Sequence, residues 1–241
     1  MSHKDNISSI ISTLTDSYTQ EETRVIPKRS DLTFGNVIKK ISHAVVFYVD
    51  MRGSRKIIQD STTFWSVKTH RAFLQAIINC VENREGHFRS FNGDGALCFF
   101  IGDNAASRAV KAALDLKSYV MEINKTLKDK IDKRINFGVG IAQGSISVAK
   151  SGKRGDDFTK QDLVWVGLPV YVAVELSDFA RDPKNIWISP NVRTSIGKEN
   201  YLNVVNNKDG DSIWKKIKKD LKSVGSYEVR CTTYYSTISL D

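Results

Sequence analysis

The sequence predicts an α+β domain: a ferredoxin-like βαββαβ core, a mainly antiparallel sheet with helices on one face, preceded by an N-terminal helical extension. Three observations lead there. HAVVFYVD (43–50) is an almost unbroken apolar run ending in a carboxylate, the pattern of a strand buried on both faces. FNGDG (91–95) is a hairpin turn between two apolar runs. Helical stripes before and after that hairpin complete the order strand, helix, hairpin, helix, strand.

Taken in order, residues 1–20 carry Ile7, Ile10, Ile11, Leu14 and Tyr18 at helical spacing. Residues 1–41 therefore read as a helical extension packed on the core, and 42–241 as the main domain. Pro27 and its polar neighbours break the first helix, and Val37 and Ile38 lead into the first strand. Residues 61–83 form a helix with Phe73, Ala76, Ile77 and Cys80 on one stripe. HFRSF (87–91) and ALCFFI (96–101) are the hairpin strands. Asp103 or Asn104 caps the next helix, whose inner face carries Ala109, Ala113, Leu116, Val120 and Ile123. INFGVGIA (135–142) and SISVA (145–149) are strands around Gln143-Gly144, and LVWV (163–166) is another. VYVAVELSDFA (170–180) is a helix entered by Pro169, a favoured first-turn residue. IWIS (186–189) and YEVRCTTYY (227–235) are the last strands.

With 241 residues and 41% hydrophobic composition, the chain suits one large domain, alone or with an extension. No apolar run approaches the ~20 residues of a membrane span. MSHKDNISSI is too short in apolar residues for a secretory leader, so a cytoplasmic location is expected. Cys80, Cys98 and Cys231 read as reduced packing residues, and no spacing suggests zinc. His3, His43, His70 and His87 form no ligand set by spacing. The net charge of +9 points to an acidic partner: a phosphate-rich ligand, nucleic acid or anionic lipid. Much of the excess lies in KTLKDKIDKR (125–134) and WKKIKKDLK (214–222), read as solvated helix faces. Neither interleaves aromatics as a single-strand nucleic-acid groove does.

Asp50 ends the central strand and Asp94 sits on the neighbouring hairpin. The topology brings them together over one face of the sheet. Paired carboxylates there suit Mg²⁺ or Mn²⁺, which take oxygen ligands and leave sites for phosphate. Taken alone, the pair reads equally well as turn aspartates, one stabilising its hairpin and one capping a helix. Arg52, Gly53 and Ser54 add a cation, a permissive backbone and a hydroxyl at a helix mouth, where backbone N–H groups suit anions. Tyr48 shares the sheet face of Asp50 through the two-residue period.

These residues resemble a family. FYVDMRGS is similar to the first metal-binding strand of class III nucleotide cyclases, and FRSFNGDGALCFF to their second, where a hairpin Gly-Asp supplies the other metal carboxylate. INFGVGIAQGSISVA resembles their following strand pair. DLVWVGLPVYVAVEL resembles the strand–Gly–helix segment of base and ribose contacts, and LKSVGSYEVR the terminal segment whose lysine, here Lys222, reaches the triphosphate. The resemblance runs from about residue 42 to 237, which makes 42–241 the nucleotide cyclase catalytic domain. It implies two Mn²⁺ or Mg²⁺ ions per site, held by Asp50, Asp94 and the Met51 carbonyl. It also implies a nucleoside triphosphate substrate and a homodimer with sites at the subunit interface.

The departures matter as much. The family's purine-reading positions hold Ser90 and Val164 here, and its ribose asparagine and transition-state arginine are Tyr171 and Glu175. Arg89, Lys160 or Arg181 could replace that arginine. Ser90 and Val164 cannot make the purine contacts, while Tyr48, Trp165 and Tyr171 add aromatic bulk suited to a one-ring base. This resembles the pyrimidine branch, the Pycsar cyclases, as does the run Asp50–Ser54. The resemblance implies conversion of UTP to 3′,5′-cyclic UMP and diphosphate, an anti-phage signal read by a separate effector protein. The alternatives are cyclic CMP from CTP, then an adenylate or guanylate cyclase, then a basic ferredoxin-like RNA-binding domain, then a pseudoenzyme. No membrane or nucleic-acid partner is expected.

Overall fold

The computed structural model describes residues 2–153, 155, 157–196 and 213–237. The core strand β2 (Val37–Arg52) is continuous for 16 residues. Antiparallel β4 (Gly95–Phe100) lies on one side of it and antiparallel β5 (Asn136–Gly152) on the other. With β3 (His87–Asn92) outside β4, the four strands stand in the order β3-β4-β2-β5, that of the expected βαββαβ core. Beyond β5, the sheet continues through β7 (Ile186–Ile188), β9 (Gly225–Thr232) and β8 (Lys215–Leu221). The stretches 135–142 and 145–149 are one strand, not two, and its far half also pairs with β6 (Gln161–Val166).

Residue parity along β2 divides the core in two. Val45, Phe47, Val49 and Met51 face α3 (Thr63–Glu82) and α4 (Ala105–Ile131). The short α6 (Pro190–Ser195) joins that layer through Val192. Val46 and Tyr48 face the other way, toward α5 (Leu168–Phe179). The expectation of helices on one face thus holds for the two core helices, while α5 covers the opposite face. Its apolar residues run too far around the helix to show from sequence which side it takes.

That seat is unusually close. A β-carbon at Gly140 would lie 1.9 Å from the Ala173 carbonyl oxygen, and one at Gly138 would lie 2.4 Å from that of Ser177. Only hydrogen at these positions lets the helix backbone rest on the strand.

Residues 1–41 differ from expectation. The helix α1 (His3–Thr15) forms, with Ser2 and Asp5 in a capping box, but buries no residue; Leu14 is 83% exposed. What packs is the stretch after it. β1 (Thr19–Glu22) pairs parallel to β2, and Ile26 and Leu32 enter the α5-side core. The charge run 214–222 is also corrected: it is mostly strand β8, paired with β9, not a helix face. The helix mouth expected at Arg52–Ser54 is the start of α2 (Ser54–Asp60), while α6 has no counterpart in the sequence reading. Cys80, Cys98 and Cys231 are free and buried, as expected. Among the described residues, no helix is long and apolar enough to cross a membrane.

Gly140→Ala should lower stability by ~1–3 kcal/mol in urea denaturation, because the new methyl meets main chain that cannot step aside. Gly35→Ala, whose methyl would meet only Thr33 Oγ1 at 3.8 Å, is the control. Equal midpoints for the two variants would show that the close seat of α5 is not constrained.

Candidate active site

Asp50 lies opposite Gly138 near the end of β2, on the α5 face. Asp94 lies in the two-residue turn between β3 and β4, after Gly93 at φ +64°. A positive φ at that first central position is what a hairpin turn of this kind requires. The Asp94 carboxyl lies close enough to raise the proton affinity of Asp50. Gly95 makes room: a β-carbon there would stand 2.5 Å from the Val49 carbonyl oxygen and 3.0 Å from Asp50 Oδ1. Burial, and then the charge of Asp94, push the Asp50 carboxyl up to about 6, only partly offset by Arg52.

Arg52 occupies the floor of this group. It pairs with Asp50 at 2.8 Å, donates to the Ser177 carbonyl and lies 3.4 Å from Asp178 Oδ1. It therefore ties β2 to α5, a structural duty beyond the phosphate contact expected of it. Tyr48 does share the face of Asp50. Its hydroxyl accepts a 2.8 Å hydrogen bond from Asn92 Nδ2. Burial raises its pKa despite that bond, and the charges of Asp50 and Asp178 add to the rise. Gly53, at φ +74°, is the N-cap residue of α2, and Ser54 begins that helix.

The remaining candidates fall elsewhere. Arg89 is the extra residue of a β-bulge between Phe88 and Ser90. Its guanidinium donates to the carbonyls of Pro27, Ile26 and Phe88, so it pins the N-terminal segment and is no free cation. The bulge also sets the facing of Ser90, which pairs with Leu97 and thus shares the side of Tyr48. Trp165 stacks on Phe99 with ring centroids 4.3 Å apart. Phe99 pairs with Val46, four residues before Asp50, or ~13 Å along a strand. Val164 and Tyr171 point to solvent. Within one protomer Trp165 thus packs at a distance from the carboxylates. Lys160 pairs with Asp157 in the β5–β6 connection, and Arg181 follows the end of α5.

Glu175 gains a definite task. Its carboxylate accepts from the backbone N–H groups of Lys222 at 2.6 Å and Ser223 at 3.0 Å. It fixes the β8–β9 turn that displays the exposed Lys222. Sequence reasoning did not find Asn92, Ser177, Asp178 or this use of Glu175. Only Asn92 left a signal, as part of the FNGDG turn; the others act across long separations in the chain.

No family model matches the chain. A protein of Burkholderia cepacia named uridylate cyclase is 28% identical over 178 residues, covering 72% of this chain and 76% of that one. A uridylate cyclase of Xanthomonas perforans is 27% identical over 206 residues, 83% of each chain. Among solved structures, the adenylyl cyclase CyaB from P. aeruginosa aligns with a TM-score of 0.66 at 18% identity, over 85% of this chain and 98% of that one. The guanylate cyclase domain of RhGC from Catenaria anguillulae, in complex with GTP, gives 0.64 at 19% identity over 82% and 100%. The chain has the fold of the class III nucleotide cyclases, and the curated proteins it resembles in sequence are named uridylate cyclases.

Proposed function

We propose that the chain is a pyrimidine nucleotide cyclase that converts UTP to 3′,5′-cyclic UMP and diphosphate. The observation that carries this is the convergence of the Asp50 and Asp94 carboxyls beside Arg52. In the reaction, the ribose 3′-oxygen loses its proton and bonds to the α-phosphorus, and the bond to the leaving diphosphate breaks.

The donor set fits a divalent cation. It consists of oxygens, and Asp50 is held protonated to higher pH by burial and by a like charge that a cation would cancel. Among the described residues no cluster of three acidic or metal-binding side chains adds to it, so other positions would fall to phosphate or the Met51 carbonyl. Two Mn²⁺ or Mg²⁺ ions held there would neutralise the triphosphate and acidify the 3′-hydroxyl. Arg52 keeps the Asp50 carboxylate aimed by pairing with it while anchored to Ser177. Asn92 fixes the Tyr48 hydroxyl beside the site. Backbone N–H groups of 51–54 and Lys222 would take phosphates, with Glu175 setting the turn that offers Lys222.

UTP is supported by the names of the relatives and by Ser90 and Val164, which lack purine-edge groups. The Pycsar resemblance adds to this an anti-phage second messenger made in the cytoplasm and read by a separate effector. A homodimer is part of the proposal. It would bring Trp165, Tyr171 and Ser90 of one subunit over the carboxylates of its partner. Exposed Val164, Val166, Leu168 and Tyr171 offer apolar surface for such an interface.

Incubated with each of the four nucleoside triphosphates and Mn²⁺, the protein should form cyclic UMP fastest, identified by mass spectrometry. Asp50→Ala and Asp94→Ala should each lower that rate by at least ~10²–10³ with native circular dichroism. A fully active Asp94→Ala ends the proposal.

Without divalent ions the pH dependence has a definite sign. A carboxyl raised from 3.8 to about 6 costs the fold stability progressively as pH climbs between those two values, and the cost is complete above the upper one. In EDTA, Asp50→Asn should therefore gain stability on the wild type between pH 5 and 7.5, by on the order of 1–3 kcal/mol. A gap that closes over that range would contradict the assigned repulsion. Val166→Glu should leave the protomer folded but shift it to monomer in light scattering and cut the cyclase rate at least tenfold. An active monomer would exclude a shared site.

A further inference from the structure

We propose that a cationic groove between α2 and the C-terminal end of α4 binds inorganic diphosphate, the leaving product of the cyclase reaction. The identity of that ligand as product rests on the cyclase reading. The run KTLKDKIDKR (125–134) is a motif that this reading leaves unused. Its end folds against α2 instead of lying on a free helix face. Lys128, Lys133 and Arg134 meet Lys56 and Arg52 around a groove of about 400 Å³. The five cations come from β2, α2, α4 and the α4–β5 connection, so tertiary structure and not local sequence gathers them.

Two carboxylates, Asp60 and Asp132, also line the groove, and each already has a cation. Lys133 lies 3.3 Å from Asp60, and Lys128 pairs with Asp132 one helical turn away. These pairs reach solvent and are readily exchanged for a phosphate. Arg52 is engaged by Asp50 and by the Ser177 carbonyl. Lys56 and Arg134 are both exposed and have no ion pair or side-chain hydrogen bond among the described residues. An anion lying between these two would gain charge-assisted hydrogen bonds without displacing a partner of either.

The lining selects diphosphate over a nucleotide or a lipid. Ile57 is the one apolar side chain among the described lining residues, and it is 4% exposed. A base or an acyl chain therefore finds no apolar bed there, which a pocket for either would need. What the groove offers is a rim of donors on exposed cations. That suits a small ion with several negative charges on adjacent phosphates.

The groove begins where the proposed phosphate grip ends. Gly53 lines it and is the N-cap residue of α2. A β-carbon at Gly53 would meet nothing within 4 Å, so the main chain there is open to a ligand. Arg134 lies two residues before Asn136, which stands opposite Arg52 in the β2–β5 ladder. Arg52 thus touches the Asp50 carboxylate and also lines the groove. Diphosphate released beside Asp50 and Asp94 has cations waiting along the next stretch of surface.

The test is heteronuclear NMR on the full chain in EDTA at constant ionic strength. Inorganic diphosphate is the probe, with sulfate and uridine 5′-diphosphate as comparisons. The backbone amides of Gly53, Lys56, Lys133 and Arg134 should shift with diphosphate. Lys56→Glu and Arg134→Glu should each weaken its binding by about tenfold or more. Lys130→Glu changes the net charge equally but lies outside the groove, and should alter binding less than about twofold. All three variants should keep wild-type initial cyclase rates with UTP and Mn²⁺, which reports their folding separately from binding. The proposal is overturned if shifts are confined to Asp50 and Gly93–Gly95, or if Lys130→Glu weakens binding as much as Arg134→Glu. It is equally overturned if sulfate binds as tightly as diphosphate, if uridine 5′-diphosphate binds more tightly, or if the groove variants lose cyclase rate in step with binding. A wild type without cyclase activity would remove the reading of diphosphate as product, while the metal-free titration would still decide whether the groove binds it.

Discussion

The seat of α5 on β5 is the constraint from which the candidate site follows. Strand β5 presents only hydrogen at Gly138 and Gly140, so the helix backbone comes down onto the sheet. Its C-terminal turn then brings Ser177 and Asp178 within reach of Arg52 on the next strand. Arg52, held from that side, is the cation that partly offsets the charge of Asp50. Two glycines in the sheet thus govern the electrostatics of a carboxylate one strand away. Bulk at either would push the helix off, and the arginine would lose its anchor while keeping its desolvated stem.

The site is held under electrostatic tension. Asp50 is half-buried beside Asp94, with Asp178 also close enough to raise its proton affinity, and one arginine stands against them. A fold selected for stability alone would not gather these groups. Such concentrations of like charge are common where a ligand of opposite charge is to be bound. The same local surplus of acid stands in a chain with a net charge of +9, much of whose excess lies on α4 and β8.

What was legible in the sequence was what is local. The run 43–50 and the turn 91–95 carry their structure in adjacent residues, so the core topology and the meeting of Asp50 with Asp94 followed from them. Where two periods fit equally, the reading failed. In β8, Ile217 and Leu221 stand four apart, which suits a helix stripe and a strand face alike; pairing with β9 decides it. The stripe of α1 was read correctly as a helix, but a stripe does not say what covers it. Glu175 was seen only as a missing arginine. Its hydrogen bonds reach 47 and 48 residues along the chain, a separation at which no pattern in sequence speaks. Arg89 reads as a ligand cation because nothing local announces the carbonyls of Ile26 and Pro27 to which it donates.

The extra residue in β3 has a reach beyond its own strand. Side chains alternate sides, so one inserted position inverts every assignment on one side of it. Here it sends Ser90 and Asn92 to the side of Tyr48 and leaves Phe88 and Phe91 stacked together on the other, 4.6 Å apart. A relative with an unbroken third strand, aligned to this chain without a gap, would match residues that look in opposite directions. Transplanting base-reading side chains between two such proteins would then plant them in the hydrophobic interior, however close the alphabetic agreement.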